Sequence, residues 1–333
     1  MTTLEIIVAH YKEPWETGRM FFDLMEHQRG VNREDYRLTV VQDGADGRLD
    51  WDEIRKNYSY PIRVVEVPHG GISRARNAGI DNADAEWIMF CDFDDTFTSI
   101  YSLRTIMELL KTERANDFDF LHTPFVSEYM TKDGLGMTEN VKETVWTHGK
   151  VFRLSFLRGH KLRFNEDLWF SEDSCFLSIM HGEIDPERKA RIKPPTYPLY
   201  AWIFNPDSVT SRKENAPKFA GQLLKRHAAV MAHLKKIGDE ESYGGMAVRA
   251  MWDMYYETGL HDVPVETLRQ IGAFYRKHKA DIAKVEPEHA RKVGECSTKE
   301  HAGECNKHGW PKTSFEDWLG MIDTNFSGQG VET

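Results

Sequence analysis

The five residues Trp87-Ile88-Met89-Phe90-Cys91 are apolar without a break, and three carboxylates, Asp92, Asp94 and Asp95, follow at once. A run of this length is short for a helix and reads as a strand buried on both faces, as in a parallel sheet covered by helices. The carboxylates then stand at a strand end, where open α/β sheets place their ligands. Acids this close repel one another, so the cluster is either a solvated acidic turn or the seat of a cation. Hard oxygen donors of this kind suit Mg²⁺ or Mn²⁺.

The flanking sequence repeats the strand theme. Leu4-Glu5-Ile6-Ile7-Val8-Ala9-His10-Tyr11, Tyr36-Arg37-Leu38-Thr39-Val40-Val41 and Ile62-Arg63-Val64-Val65-Glu66-Val67 read as three more strands, the second closed by the turn signal Asp43-Gly44. Between them, Met20, Phe21, Leu24 and Met25 fall at helical spacing. Ala75, Ala78 and Gly79 form a small-residue stripe on a helix predicted to start at Arg74 with Ser73 as its cap. Strands alternating with helices predict a mostly parallel α/β sheet. Ile100, Leu103, Ile106, Met107 and Leu110 mark another helix, and a strand is predicted across residues 118–130. From Ala216-Pro217 the pattern turns helical, so the chain is expected to divide into residues 1–214 and 215–333, with fraying after Trp318-Leu319.

A chain of 333 residues makes one large or two modest domains, and its formal net charge of -10 argues against a generally basic nucleic-acid-binding surface. No apolar run approaches the ~20 residues of a membrane span, and Met1-Thr2-Thr3-Leu4 leads straight into a strand, so a cytoplasmic location is expected. Cys91 and Cys175 lie in apolar stretches and are predicted to be buried thiols. Cys296, His301, Cys305 and His308 bring two thiols and two imidazoles close in sequence, a candidate structural Zn²⁺ site.

Three motifs occur in an informative order: Gly71-Ile72-Ser73-Arg74-Ala75-Arg76-Asn77-Ala78-Gly79-Ile80, the strand end of form Asp-x-Asp-Asp, and Ser171-Glu172-Asp173. In order and spacing they resemble the family 2 glycosyltransferases, over residues 4–212. The resemblance implies the GT-A fold, an α/β, Rossmann-like, mostly parallel sheet flanked by helices, here with a C-terminal helical extension. It also implies inverting transfer of a sugar from a nucleotide diphosphate, with a UDP-sugar favoured, to an acceptor hydroxyl, assisted by Mn²⁺ or Mg²⁺.

On this resemblance His10, Tyr11 and Asp43 fall where the family binds base and ribose, and Arg76 where a guanidinium reaches the diphosphate. Asp92 contacts the ribose or metal shell, Asp94 ligates the metal directly, and Asp95 supports it through water. Asp173 is the general base, and Glu172 orients the nearby backbone or the acceptor. Trp146, His148 and Lys150 belong to the acceptor side, and Ser208, Ser211 and Arg212 to a loop over the diphosphate. Ile203 and Phe204 depart from the family here, standing where an Arg is common. The chemistry suits these roles: a carboxylate accepts from an imide N–H, a guanidinium fork fits phosphate, and partial burial makes a carboxylate more basic.

A glycan, a lipid-linked glycan or a protein offers the required hydroxyl. A hydroxymethylated DNA base is an alternative, supported only by local basic clusters such as Lys225-Arg226 and Arg276-Lys277-His278-Lys279. A non-catalytic sugar-nucleotide or glycan-binding protein on the same fold has no need of a base at Asp173. A nucleotidyltransferase typically carries a Gly-rich loop after its first strand, where this chain has His10-Tyr11-Lys12-Glu13.

Overall fold

The computed structural model describes residues 2–112, 117–131, 133–141, 143, 145–185 and 196–326. Packing divides the chain into two compact units, Met1–Asn205 and Pro206–Thr333.

The first unit opens with β1 (Leu4–His10), α1 (Trp15–Glu26), β2 (Tyr36–Asp43), the short α2 (Trp51–Ile54), β3 (Ile62–Val67), α3 (Ile72–Asn82) and β4 (Trp87–Asp92). It continues with β5 (Thr96–Phe97), α4 (Ser102–Leu110), β6 (Phe120–His122), β7 (Phe125–Thr131), β8 (Gly134–Asn140), β9 (Lys150–Arg153), α5 (Leu154–Gly159), α6 (Glu172–Glu183) and β10 (Tyr200–Trp202). The main sheet has the order β3-β2-β1-β4-β9-β6, and a smaller one the order β5-β10-β7-β8. Strands β3, β2, β1 and β4 run parallel, and β9 joins β4 antiparallel. The chain leaves β1 toward β2 and returns to its other side at β4, so the ends of β1 and β4 flank a topological switch point.

Alternation along the central strands explains why both faces of the sheet are covered. Ile6, Val8, Trp87, Met89 and Cys91 enter one core with Phe21 and Phe22 of α1 and Leu103 and Ile106 of α4. Ile7, Ile88 and Phe90 enter the other with Ala75 and Ile80 of α3 and Phe176 of α6. The small-residue stripe lets α3 approach closely: a Cβ added at Gly79 would stand 2.4 Å from Ile7 Cγ2.

Three local expectations need revision. Helix α3 starts at Ile72 with Gly71 as its N-cap at φ 86°, a left-handed conformation that glycine adopts freely. Ser73 lies inside the first turn and is buried, and its hydroxyl donates to the Leu168 carbonyl at 3.0 Å instead of capping. The strand expected across residues 118–130 is two strands, because Pro124, which cannot donate to a ladder, stands where the chain passes from the main sheet (β6) to the smaller one (β7).

The second unit is helical: α7 (Ala216–Ile237), α8 (Glu240–Leu260), α9 (Val265–Ile282), α10 (Pro287–His308) and α11 (Phe315–Asn325). Its core joins Ala220, Leu224 and Met231 to Met251, Met254, Ile271 and Phe274. Contrary to the expected fraying, α11 continues past Leu319, because Trp318 and Ile322 are buried in that core. A polar knot also lies inside the unit: Asp253 accepts from His227 at 3.0 Å, Arg249 at 2.7 Å and the Ser297 hydroxyl at 2.7 Å. Among the described residues no helix is long and apolar enough to cross a membrane.

Candidate active site

The end of β4 places Asp92, Asp94 and Asp95 beside the N-termini of two helices. From α3, the buried Arg76 donates through Nη2 to Asp92 Oδ1 and through Nη1 to Glu172 Oε1, both at 2.7 Å. Residues distant in sequence therefore meet on one guanidinium. At the start of α6, Ser171 takes a left-handed backbone at φ 62°, and Glu172 and Asp173 open the helix, where its dipole favours carboxylates. Through one N–H of each terminal nitrogen, Arg76 is an internal clamp between two acid sites.

The neighbouring acids differ sharply in ease of ionisation. Burial disfavours ionised Asp92, but the Arg76 charge outweighs it and holds this carboxylate below its usual range. Burial and the Asp92 charge raise Asp94, against the hydrogen bond that Asn205 donates to it at 2.8 Å. Burial, with Asp92 and Asp94, raises Asp95 well above the usual range even though Tyr200 donates to its Oδ2 and the Ile203 amide to its Oδ1. Asp173 is pushed up to about 7, first by burial and then by the Glu172 charge.

His148 is buried beside this group, with Nδ1 3.6 Å from Asp95 Oδ2. Burial lowers its pKa to about 4, so at neutral pH it is an uncharged imidazole with a lone pair to offer. Among the described residues Asp92, Asp95 and His148 bring three donor atoms within 4.8 Å of one another. Asp94, expected as the direct ligand, lies outside this compact set, whereas His148, expected on the acceptor side, lies inside it. Two further contributors escaped sequence reasoning. The Tyr200 hydroxyl donates to Asp95 and accepts from the Asp92 amide at 3.2 Å, while its ring stacks on His148; Asn205 holds Asp94. The available signal was the polar tip of Tyr200 in an otherwise apolar strand.

On the β1 and β2 side, Tyr11 stacks on His69 with ring centroids 4.1 Å apart. Both line a cavity of about 450 Å³ together with Gly44, Asp46, Arg48 and Glu66. Asp43 is buried and accepts from the Gly70 and Gly71 amides and from His69 Nδ1 at 2.8–2.9 Å, so an imide N–H would have to share its oxygens with three donors. His10 does not line this cavity. Its ring nitrogens face Gln42 Oε1 and the Glu13 carbonyl, both at 2.8 Å, and the ring is 1% exposed against Trp51 and Phe93, which corrects the expected donor contact.

Lys150 is likewise corrected from an acceptor contact to a buried anchor. It is 0% exposed and pairs with Glu143 Oε2 at 3.0 Å, and Glu143 also accepts from the Trp146 amide. The pair thus holds the segment that presents the exposed Trp146 and the buried His148. Removing one charge leaves the other stranded, so Lys150→Met is expected to lower stability by about 3–5 kcal/mol. The double change Lys150→Met/Glu143→Gln should lose clearly less than the sum of the single changes in urea titrations.

In the second unit Ser208 donates to the Ser211 hydroxyl at 2.9 Å, and Arg212 donates to the Asp207 carbonyl at 3.0 Å. The four expected zinc ligands all lie on α10, where Cys296 is exposed and Cys305 is packed in the core. His301 points at Glu257, and His308 pairs with Glu304 at the surface. At 100° per residue Cys296 and Cys305 project from opposite sides of the helix, so one tetrahedral ion cannot gather the four.

The sequence profile of Glycosyl transferase family 2 matches residues 5–165. Teichoic acid poly(glycerol phosphate) polymerase of Staphylococcus epidermidis is 28% identical over 186 residues, covering 50% of this chain and 24% of that protein. The uncharacterized glycosyltransferase EpsJ of Bacillus subtilis is 28% identical over 231 residues, 61% of this chain and 62% of that protein. The chain therefore spans from about a quarter to under two thirds of these relatives. A solved structure of S. aureus TarS 1-349 in complex with UDP-GlcNAc has a TM-score of 0.52 at 14% identity, over 90% of this chain and 92% of that one. With the switch-point acids, the Arg76 helix and the second acid pair in one unit, residues 5–165 carry a family 2 glycosyltransferase domain, and the first unit has the GT-A fold.

Proposed function

We propose that the chain is a metal-dependent, inverting glycosyltransferase that moves a sugar from a nucleotide diphosphate, a UDP-sugar by preference, to the hydroxyl of a glycan or related acceptor. The observation that carries this reading is the imbalance of charge at the switch point. Among the described residues Asp92, Glu172 and Asp173 interact with the Arg76 guanidinium, Asp94 and Asp95 crowd Asp92, and His148 is uncharged. A diphosphate is repelled by such a site unless another cation accompanies it.

The donor set of two carboxylates and a neutral imidazole fits Mn²⁺ or Mg²⁺, with Asp92, Asp95 and His148 in contact and Asp94 alongside. When bound, the ion supplies Lewis-acid stabilisation of the departing diphosphate. The chain's own groups do the rest. The cavity beside Tyr11 and His69 offers a ring to stack on a base, and the TarS complex with UDP-GlcNAc supports uridine as that base.

Within the second acid pair, Glu172 is pinned by Arg76, whereas Asp173 titrates near neutrality. The environment thus singles out Asp173 to take the proton from the acceptor hydroxyl as that oxygen attacks the anomeric carbon. Asp95→Asn is expected to lower kcat by about 10²–10³-fold and to weaken Mn²⁺ binding. Manganese titration by electron paramagnetic resonance, alongside radiolabelled sugar transfer, checks both. Unchanged transfer and Mn²⁺ affinity would overturn the metal assignment.

A further inference from the structure

We propose that the helical unit holds a divalent transition metal between α8 and α10, bound by Glu257, His261 and His301. Glu257 lies in the last turn of α8, His261 is the residue that caps the C-terminus of α8, and His301 faces Glu257 from α10. Glu257 is 9% exposed, and its Oε2 has no hydrogen-bond partner. Each of its oxygens is met by an imidazole Nε2: His301 lies 3.8 Å from Oε1, and His261 lies 3.9 Å from Oε2. These gaps are too long for hydrogen bonds, which close to about 2.7–3.2 Å. Two metal–ligand bonds of about 2.0–2.2 Å each can span them.

The hydrogen bond on the far side of His301 supports the same reading. Its Nδ1 donates to the Ser297 carbonyl at 2.9 Å, which places the proton there and aims the Nε2 lone pair at the carboxylate. Such a bond to the outer nitrogen is how ligating histidines are usually oriented, and Tyr256 stacks on the ring to hold its plane. A lone pair facing a carboxylate is relieved by a positive species between them. A proton is the rival: burial disfavours it, but Glu257 and the Ser297 carbonyl outweigh burial and raise the His301 pKa. A proton on His301 answers only one of the two gaps, however, and the other needs a second proton on His261. A metal answers both.

The set is more open than the one formed by Asp92, Asp95 and His148, the compact donor group among the described residues. Closing it on one ion requires His261, half-buried at the end of α8, to swing inward. Two imidazoles and one carboxylate select Zn²⁺, Co²⁺ or Ni²⁺ over Mg²⁺. This assignment is independent of the proposed glycosyl transfer and shares only His301 with the Cys/His quartet.

The test uses full-length protein without a His tag, stripped with chelator, dialysed and kept in excess Mg²⁺ to occupy the carboxylate site. One equivalent of Co²⁺ is expected to give visible d–d absorption without the near-ultraviolet band of a cobalt thiolate. Zn²⁺ at about 100 times its Kd is expected to raise Tm by about 5 °C. His261→Ala and Glu257→Gln should remove both signals while retaining the wild-type circular dichroism spectrum, and Cys296→Ser should keep both. The proposal is overturned by any of three results: no Tm shift in the wild-type protein, a shift unchanged in His261→Ala and Glu257→Gln, or a thiolate charge-transfer band.

Discussion

Asp173→Asn is expected to lower kcat by about 10²–10⁴-fold while leaving donor affinity, measured by titration calorimetry, nearly unchanged. The loss follows from taking away the one carboxylate in the pair whose proton affinity lies near neutral pH. In the wild-type enzyme kcat/KM should rise with pH and level off above about 7, as Asp173 gives up its proton; the variant should lack that limb. The stability effect runs the other way. A carboxyl whose folded pKa is raised contributes stability that is fully present below its unfolded pKa, near 3.9, and is lost as pH rises through its folded value. At pH 8 the wild-type protein therefore holds an unfavourable buried charge that Asn does not carry. The variant should melt higher than wild type at pH 8, with the advantage shrinking toward pH 5. A variant both inactive and less stable at pH 8 would point to a structural role for Asp173.

Arg76→Met should have the larger effect on the protein as a whole. Its removal leaves Asp92 and Glu172 with no cation at hydrogen-bond distance among the described residues, and stranding a buried charge in this way costs about 3–5 kcal/mol. Because Arg76 also lowers the pKa of Asp173, any residual activity should require higher pH, with the acid limb moved above 7. Urea titrations of Arg76→Met and of Arg76→Met/Glu172→Gln separate the two roles. The second change should recover stability but little activity if the clamp also positions the acid pair. Full recovery of kcat in the double variant would reduce Arg76 to a simple counter-charge.

The sheet was legible because its signals are local. An unbroken apolar run such as Trp87-Ile88-Met89-Phe90-Cys91 can be buried on both faces only in a covered sheet, and that is where it lies. The acidic strand end and Glu172-Asp173 were visible for the same reason, as groups of charges beside apolar residues. Roles that depend on distant partners were not visible. Nothing near His10 announces Gln42 and the Glu13 carbonyl as its partners, and nothing near Lys150 announces that Glu143 turns inward to meet it. Tyr200 reached the site through a second sheet whose pairing no periodicity encodes. The Cys/His quartet misled because nearness in sequence was read as nearness in space, whereas a helix turns its side chains outward around a full circle.

The Arg76 clamp also bears on the order in which the protein becomes competent. Its partners sit 16 and 96 residues away, one at the end of β4 and the other on α6, so the two acid sites are joined only by the slower, long-range closure. A chain that has built β1 to β4 but has not docked α6 carries the proposed cation-binding acids without the proposed base. On the proposed mechanism, transfer therefore requires α6 to be docked against α3.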